Sequence, residues 1–228
     1  MRLVVVFFLS VLWVSAAAAQ ERLIQVDGVG EVQVTPDMAT VTLGVNHQAG
    51  TAEAAMAAVS RDAREIFERL TVFGIDEGDI RTSGLSLNQM YEQRSSSNAP
   101  PKVIGFSAST QVTVISHDLD RVGALLDQLV KAGANSINGI FFGISDPTAA
   151  MRAARRAAVE DALDKAALYA SAAGVALGDV VGITESGATP FRGPMMRAEA
   201  MMADAVPIAP GTETISARIS LTIEIAGD

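Results

Sequence analysis

The apolar residues of this sequence change their spacing repeatedly, from the two-residue alternation of a strand to the wider spacing of a helix. Residues 39–47 alternate as a half-buried strand. Residues 52–73 then place apolar side chains at helical spacing, with Thr51 as the predicted N-cap and Gly74 as the predicted end. The same order returns downstream, which predicts two strand–helix–strand units whose sheets bury one face beneath helices. The units lie at 39–47, 52–73 and 80–91, and at 107–116, 118–132 and 137–145.

A third helical stretch and the two ends of the chain complete the pattern. The helix is predicted between the capping pair Asp146-Pro147 and Gly174, and its twelve alanines would allow close packing on a sheet or on a neighbouring subunit. The sequence thus predicts an α+β protein of two fused two-layer lobes, with repeated strand–helix–strand units and sheets covered by helices. Lobe one is expected at about 20–100 and lobe two at about 101–228 of a single 20–228 domain. Shorter alternating runs predict further strands at 23–26, 32–34, 180–185 and 215–225.

The first 19 residues have the organisation of a secretory signal. Arg2 precedes an apolar run at 3–14, and small residues ending in three alanines follow it. We expect export, with cleavage of the signal between Ala19 and Gln20. The alternative is an uncleaved membrane anchor, which needs roughly 20 apolar residues, whereas this run has about a dozen. No later run approaches that length, so no membrane span is expected in the mature chain.

The composition removes several classes of function. The chain has no cysteine, which excludes disulfides, thiolate zinc sites, cysteine nucleophiles and iron–sulfur clusters. Its formal net charge of -9 argues against sequence-independent binding of nucleic acid, which requires clustered lysine and arginine. The sequence carries no nucleotide-binding motif, and we expect no cofactor.

The common catalytic motifs are also missing from the sequence, which leaves few candidate catalytic residues. Gly28-Val29-Gly30 lacks the third glycine and the following helix of a dinucleotide-binding loop, and we interpret it as a bulge or tight turn between two strands. The two histidines, His47 and His117, are interpreted as surface or junction residues. His117 with the adjacent Asp118 is the best candidate for an unrecognised enzyme site, but no catalytic residue is assigned.

The segment 187–211 has an unusual composition. It holds four of the eight prolines and four of the nine methionines. Thioethers are soft ligands, so Met195, Met196, Met201 and Met202 are candidates for capturing a soft metal such as Cu(I). The alternatives are sacrificial oxidation of exposed methionines and a loop whose short amphipathic turn packs on the body or on a partner.

Six stretches, in order along the chain, carry a family resemblance. They are VDGVGEVQVTPDMATVTLGV (26–45), GIDEGDIRTSGLSLNQMY (74–91), IGFSASTQVTV (104–114), DLDRVGALLDQLVKAGANSINGIFFGISDP (118–147), ARRAAVEDALDKAALYASAAGVALGDVVGITESG (154–187) and PIAPGTETISARISLTIEI (207–225). With these stretches the chain resembles the SIMPL-domain family, the YggE-like exported bacterial proteins. The segments 92–102 and 187–211 fit that pattern least.

The resemblance implies a periplasmic, non-lipidated protein with an α+β fold, in a family prone to form homo-oligomers. It also implies an association with envelope and oxidative-stress phenotypes. The family has no established catalytic residues, so none is carried over to this sequence.

Three functions follow as hypotheses. The first is a non-catalytic periplasmic protein that self-assembles and supports envelope or oxidative-stress homeostasis. Its long strands 104–116 and 214–225 would pair across subunits if they lie at sheet edges. The second is a small-molecule or soft-metal binding protein that uses the Met-rich loop 187–211. The third is an enzyme with an unrecognised site near His117.

Overall fold

The computed structural model describes residues 22–92, 101–186, 190–191 and 209–226, which form eight strands and three helices. The strands are β1 Leu23–Val34, β2 Met38–Ala49, β3 Ile80–Tyr91, β4 Val103–Ser116, β5 Ser136–Gly143, β6 Leu177–Glu185, β7 Pro190–Phe191 and β8 Glu213–Ile225. The helices are α1 Ala52–Phe73, α2 Val122–Lys131 and α3 Thr148–Ala173. The predicted α+β class is therefore confirmed.

The segment from Met38 to Gly143 folds into one antiparallel sheet, which we call the middle sheet. Its strand order is β3-β4-β2-β5. The two strand–helix–strand units interleave, because β4 lies between β2 and β3, and β2 lies between β4 and β5. This order is the split β-α-β-β-α-β arrangement. α1 and α2 cover the same face, where their apolar side chains meet those of β2 and β4 in one core.

The two ends of the chain form a second antiparallel sheet, which we call the terminal sheet. Its order is β1-β8-β6, with β7 also paired to β8. β1 and β8 pair along their whole length, from Leu23 opposite Glu224 to Val34 opposite Glu213. The two sheets therefore do not separate at about residue 100 of the sequence. β1 pairs with a C-terminal strand, while β4 and β5, which follow residue 100, pair with β2. Because the pairing of β1 with β8 joins opposite ends of the chain, no local pattern predicts it.

β1 is one continuous strand, whereas the sequence predicts two short strands with a bulge or turn at Gly28-Val29-Gly30. Its pairing with β8 passes through these residues without a register shift, so the predicted bulge or turn is wrong. The two glycines instead lie against α3. A Cβ atom at Gly28 would lie 2.0 Å from the carbonyl oxygen of Ala158, and one at Gly30 would lie 2.0 Å from that of Ala154. The missing side chains set how closely the helix approaches the strand.

The helix side of this contact consists of alanines at four-residue spacing. They are buried and pack with the alternating apolar residues of β8 in the core of the terminal sheet. The alanines are Ala154, Ala158, Ala162 and Ala166, and the β8 residues are Ile215, Ala217, Ile219, Leu221 and Ile223.

The ends of the helices match most of the predicted signals. The Thr51 hydroxyl accepts a hydrogen bond from the backbone N–H of Ala54 at 3.2 Å, and Gly74, with φ of 90°, ends α1. The second helix is shorter than predicted. It begins at Val122, because Leu119–Arg121 form a 3-10 turn and Asp118 makes no capping hydrogen bond.

Candidate functional site

His117 lies just after β4, on the surface of the molecule. Its side chain is 55% exposed, and its Nε2 atom is 3.5 Å from Oδ2 of Asp79. The neighbouring Asp118 is directed elsewhere, with Oδ2 at 3.9 Å from Nη1 of Arg121. These groups do not converge on one reacting position, as a general acid or base with its partners would require.

A shallow hollow of about 280 Å³ lies near the end of α1, and His117 is not among its lining residues. Phe67, Thr71, Glu77 and Ile80 line it. One carboxylate and one hydroxyl in an apolar lining do not supply the combination of nucleophile, base and stabilising donor that a catalytic pocket needs.

His47, interpreted from the sequence as a surface or junction residue, lies on the helix-covered face of the middle sheet. Its Nε2 atom is 2.5 Å from Oδ2 of Asp62 on α1. The Nε atom of Arg61 also donates to the Asp62 carboxylate, at 2.8 Å. Burial disfavours the charged carboxylate, but the hydrogen bonds from His47 and Arg61 outweigh it, so the pKa of Asp62 lies below its ordinary value.

A histidine paired with a carboxylate supplies two of the three parts of a nucleophile-activating triad. In the described part of the chain, the His47 ring hydrogen-bonds to Asp62, and no serine or threonine hydroxyl bonds to it. The hydrogen bond between His47 and Asp62 links β2 to α1.

Two regular spacings in the sequence indicate this pair, although sequence reasoning missed it. His47 continues the two-residue alternation of the buried Leu43 and Val45, which places its ring on the core side of β2. Asp62 falls at helical spacing between the buried Val59 and Ile66. A polar residue on each of two facing apolar stripes indicates that the two are partners.

A second carboxylate, Asp37, binds two connections of the chain together. The chain passes between the terminal and middle sheets at 35–37 and again at 144–147. Asp37 accepts hydrogen bonds from the backbone N–H of Ser145 at 2.7 Å and from its hydroxyl at 2.6 Å. These bonds from Ser145 lower the pKa of the Asp37 carboxyl.

The remaining candidates from the sequence lie outside the described residues. They are the methionines Met195, Met196, Met201 and Met202 and the cleavage positions Ala19 and Gln20. Within the described ranges, no three side chains of histidine, aspartate or glutamate are grouped closely enough to hold a metal ion. In those same ranges, no helix combines the length and apolarity needed to cross a bilayer.

The two strands expected to pair across subunits are both interior strands. β4 is bordered by β3 and β2, and β8 by β1 and β6. Their backbone groups are therefore already paired on both sides, so these strands cannot add a strand from another subunit. Among the described strands, the sheet edges are instead β3 and β5 in the middle sheet, and β1, β6 and the short β7 in the terminal sheet.

Exposed apolar side chains gather on the hairpin formed by β3 and β4. We call this group the apolar arm: Leu85, Leu87, Tyr91, Val103 and Ile104. Their exposed fractions run from 40% for Val103 to 64% for Leu85. A cluster of large apolar residues on an edge strand and its neighbour is typical of a surface that contacts another protein.

Comparison with known proteins gives one family and several relatives. The family described as SIMPL, a protein of unknown function (DUF541), matches residues 24–223. The chain is 34% identical over 214 residues to the 26 kDa periplasmic immunogenic protein of Brucella melitensis, covering 90% of this chain and 86% of that protein. It is 33% identical over 156 residues to the "Uncharacterized protein YggE" of Edwardsiella ictaluri, covering 68% and 64%. It is 29% identical over 181 residues to the protein of the same name from Escherichia coli K12, covering 79% and 72%.

Proposed function

Because this chain belongs to the SIMPL (DUF541) family, we propose that it is a non-catalytic periplasmic protein that assembles with copies of itself and supports envelope or oxidative-stress homeostasis. The periplasmic location is supported by the name of the Brucella relative and by the signal-like residues 1–19. We place the cleavage between Ala19 and Gln20. N-terminal sequencing of the protein from the periplasmic fraction tests this, and an intact Met1 there would contradict it.

The apolar arm is the observation that carries self-assembly. Among the described strands β3 lies at a sheet edge, so no described strand pairs with the outer side of its backbone and another strand could be added there. Burying the side chains of Leu87 and Ile104, which are 45% and 55% exposed, would remove apolar surface from water. A second copy of the chain offers the same surface, as a symmetric contact requires.

Polar substitutions in the apolar arm test the assembly. Changing Leu87→Ser and Ile104→Ser together removes about 3 kcal/mol or more of apolar burial per contact, which weakens association roughly 100-fold. Val72→Ser is the matched control, because Val72 is 83% exposed on α1, away from the arm. We expect light scattering to find an oligomer for the wild type and the control, and a smaller species for the double variant.

The same variants connect assembly to the stress function. A strain lacking the protein is complemented with the wild type, the arm variant or Val72→Ser, and its survival in peroxide and in detergent is measured. We expect the arm variant to fail where the control succeeds. A wild-type monomer at micromolar concentration would contradict self-assembly, and full complementation by a monomeric arm variant would separate assembly from the stress function.

A further inference from the structure

The strand β5 contains a β-bulge, and an asparagine followed by a glycine lies at the bulge. Thr42 of β2 lies opposite Gly139, and Leu43 lies opposite Ile137, so Asn138 is the extra residue of β5. Asn138 is exposed, and no described strand pairs with the outer side of β5. The backbone at Asn138 is therefore held by fewer neighbours than the backbone of a central strand.

The sequence at this bulge favours a reaction of the asparagine side chain with the main chain. Asparagine is a thermolabile residue, and its reaction begins when the backbone nitrogen of the next residue attacks the side-chain carbonyl carbon. A Cβ atom on that next residue hinders the attack, and glycine has none. Of the five asparagines in the chain, Asn138 is the one that glycine follows. Gly139 has φ of 146°, in the region that favours glycine, so the bulge and the reaction favour the same residue.

A hydroxyl group lies at the atom that gains negative charge in this attack. The Ser136 hydroxyl donates a hydrogen bond to Oδ1 of Asn138 at 3.1 Å. Negative charge develops on Oδ1 as the nitrogen of Gly139 adds to the adjoining carbon, Cγ. A donor that is already placed at such an oxygen stabilises the transition state, as the donors of an oxyanion hole do.

The side chain of Asn135, which lies just before β5, is held in a way that opposes the same reaction. Its Oδ1 accepts a hydrogen bond from the backbone N–H of Asn46 at 2.9 Å, and its Nδ2 donates to the Asn46 carbonyl at 2.8 Å. Turning the amide carbon of Asn135 toward the nitrogen of Ser136 would break both hydrogen bonds. Ser136 also carries a Cβ atom, which hinders the attack. Asn135 is therefore an internal comparison for Asn138.

We propose that Asn138 is a site of spontaneous deamidation, which converts the protein into an acidic form as it ages. The Gly139 nitrogen bonds to Cγ of Asn138 and the bond from Cγ to Nδ2 breaks. The Gly139 amide proton leaves with Nδ2 as ammonia, and a succinimide ring remains. Water then adds to one of the two ring carbonyls and opens the ring, which gives aspartate or isoaspartate at position 138. The reaction requires water alone as co-reactant, and it does not depend on self-assembly.

Both products change the edge of the middle sheet. A carboxylate replaces the amide, which makes the net charge of the chain one unit more negative than -9. Isoaspartate also adds one carbon to the backbone of β5, ahead of Ile140 and Phe142, which pack against the core of the middle sheet. We expect the deamidated form to hold β5 less firmly on β2, because the added carbon disturbs the register of the side chains that follow it.

Ageing the mature protein at neutral pH in water labelled with a heavy oxygen isotope tests this site. Ring opening places one heavy oxygen on the modified residue, so mass spectrometry of peptides locates it. Enzymatic methylation of the free isoaspartate carboxyl distinguishes isoaspartate from aspartate. We expect label at Asn138 to accumulate at least about tenfold faster than at Asn135, since glycine follows Asn138 and hydrogen bonds hold Asn135. In the aged protein, hydrogen exchange should quicken at the amides of β5 and stay unchanged at those of β8.

Substitutions of Ser136 test the role of its hydroxyl. Ser136→Ala removes the donor to Asn138, and we expect it to slow the labelling about fivefold, the effect of one hydrogen bond. Ser136→Thr keeps a hydroxyl and should keep the wild-type rate. Ser83→Ala on β3, the other edge strand of the middle sheet, is the matched control. Asn138→Gln should abolish the labelling, because the longer side chain closes its ring far more slowly. Circular dichroism verifies that the variants are folded.

Three results would overturn the proposal. The first is an intact Asn138 in the aged protein under conditions in which a peptide of residues 136–142 is labelled. The second is equal labelling of Asn135 and Asn138. The third is equal rates for Ser136→Ala and Ser83→Ala, which would show that the Ser136 hydroxyl does not assist the attack.

Discussion

The side chain of Asp62 stabilises the contact between α1 and the middle sheet through its charge. It is 14% exposed, and it faces the His47 ring on one side and the Arg61 guanidinium on the other. A carboxylate that is this little exposed loses much of its hydration, and the hydrogen bonds from His47 and Arg61 must replace the lost bonds to water. Removing the carboxylate would leave the partly buried His47 ring without its hydrogen-bond partner. A buried polar group without a partner lowers the free energy of unfolding, because its lost hydration is not replaced.

The substitution Asp62→Ala is expected to lower the free energy of unfolding by about 1–3 kcal/mol at pH 7. The pKa of Asp62 is lower in the folded state, so its stabilising effect is present above the ordinary value of 3.8 and is lost as the pH falls through the folded value. The effect of the substitution should therefore shrink on acidification from pH 7 to pH 3. Urea unfolding at both pH values measures it.

Asp127→Ala on α2 is the control for Asp62→Ala, because Asp127 is an exposed carboxylate. We expect its unfolding free energy to remain within about 0.5 kcal/mol of the wild type. An equal loss in both variants, or an Asp62→Ala effect that is the same at pH 3 and pH 7, would contradict the role of the ionised pair.

At the scale of the elements, the helices and strands were predictable because each has a local period and a local end signal. The twelve-alanine stretch correctly indicated close packing, and Thr51 and Gly74 correctly indicated the ends of α1. The partner of α3 was not predictable, because it is formed by β1 and β8 together. The same long-range pairing hid the role of Gly28 and Gly30, whose lack of a side chain makes room for α3.

α3 also contacts β1 through polar groups at the edge of the terminal sheet. Oδ2 of Asp161 accepts hydrogen bonds from the backbone N–H of Val29 at 2.8 Å and from Nζ of Lys165 at 2.7 Å. These bonds lower the pKa of Asp161, with Lys165 the larger cause. The close contact at the glycines and this polar contact together fix the helix on the strand.

The substitution Gly28→Ala tests the close contact of α3 with β1. The added Cβ would lie 2.0 Å from the backbone oxygen of Ala158, so the helix must move. We expect a loss of about 3 kcal/mol or more in the free energy of unfolding, at the upper end of overpacking effects. Gly50→Ala is the control, since a Cβ atom there meets nothing within 4 Å. Equal unfolding midpoints in urea for the two variants would show that α3 does not require glycine at position 28.

At the scale of the whole molecule, the chain joins its two sheets through two connections that lie side by side. Residues 35–37 lead from β1 to β2, and residues 144–147 lead from β5 to α3. The backbone N–H of Asp37 donates to the carbonyl of Gly143 at 3.0 Å, and the Asp37 carboxylate accepts two bonds from Ser145. One residue thus connects both passages between the sheets. The sequence could not indicate this contact, because the partner of Asp37 lies 108 residues away and has no local signature.

The substitution Asp37→Ala is expected to loosen this connection without disrupting either core. The pKa of Asp37 is lowered in the folded state, so the contact is present above about pH 3.8 and is lost as the pH falls through the folded value. We expect faster hydrogen exchange at the Ser145 amide in Asp37→Ala at neutral pH, while the amides of β2 and β8 stay protected. In the wild type, the Ser145 amide should lose protection on acidification, after correction for the intrinsic exchange rate.

Asp146→Ala is the control for Asp37→Ala. Asp146 also has a lowered pKa, but its carboxylate accepts a hydrogen bond from the backbone N–H of Thr148, at the start of α3. If Asp146→Ala exposes the Ser145 amide as much as Asp37→Ala does, the connection depends on the start of α3 and not on the carboxylate that joins the two passages.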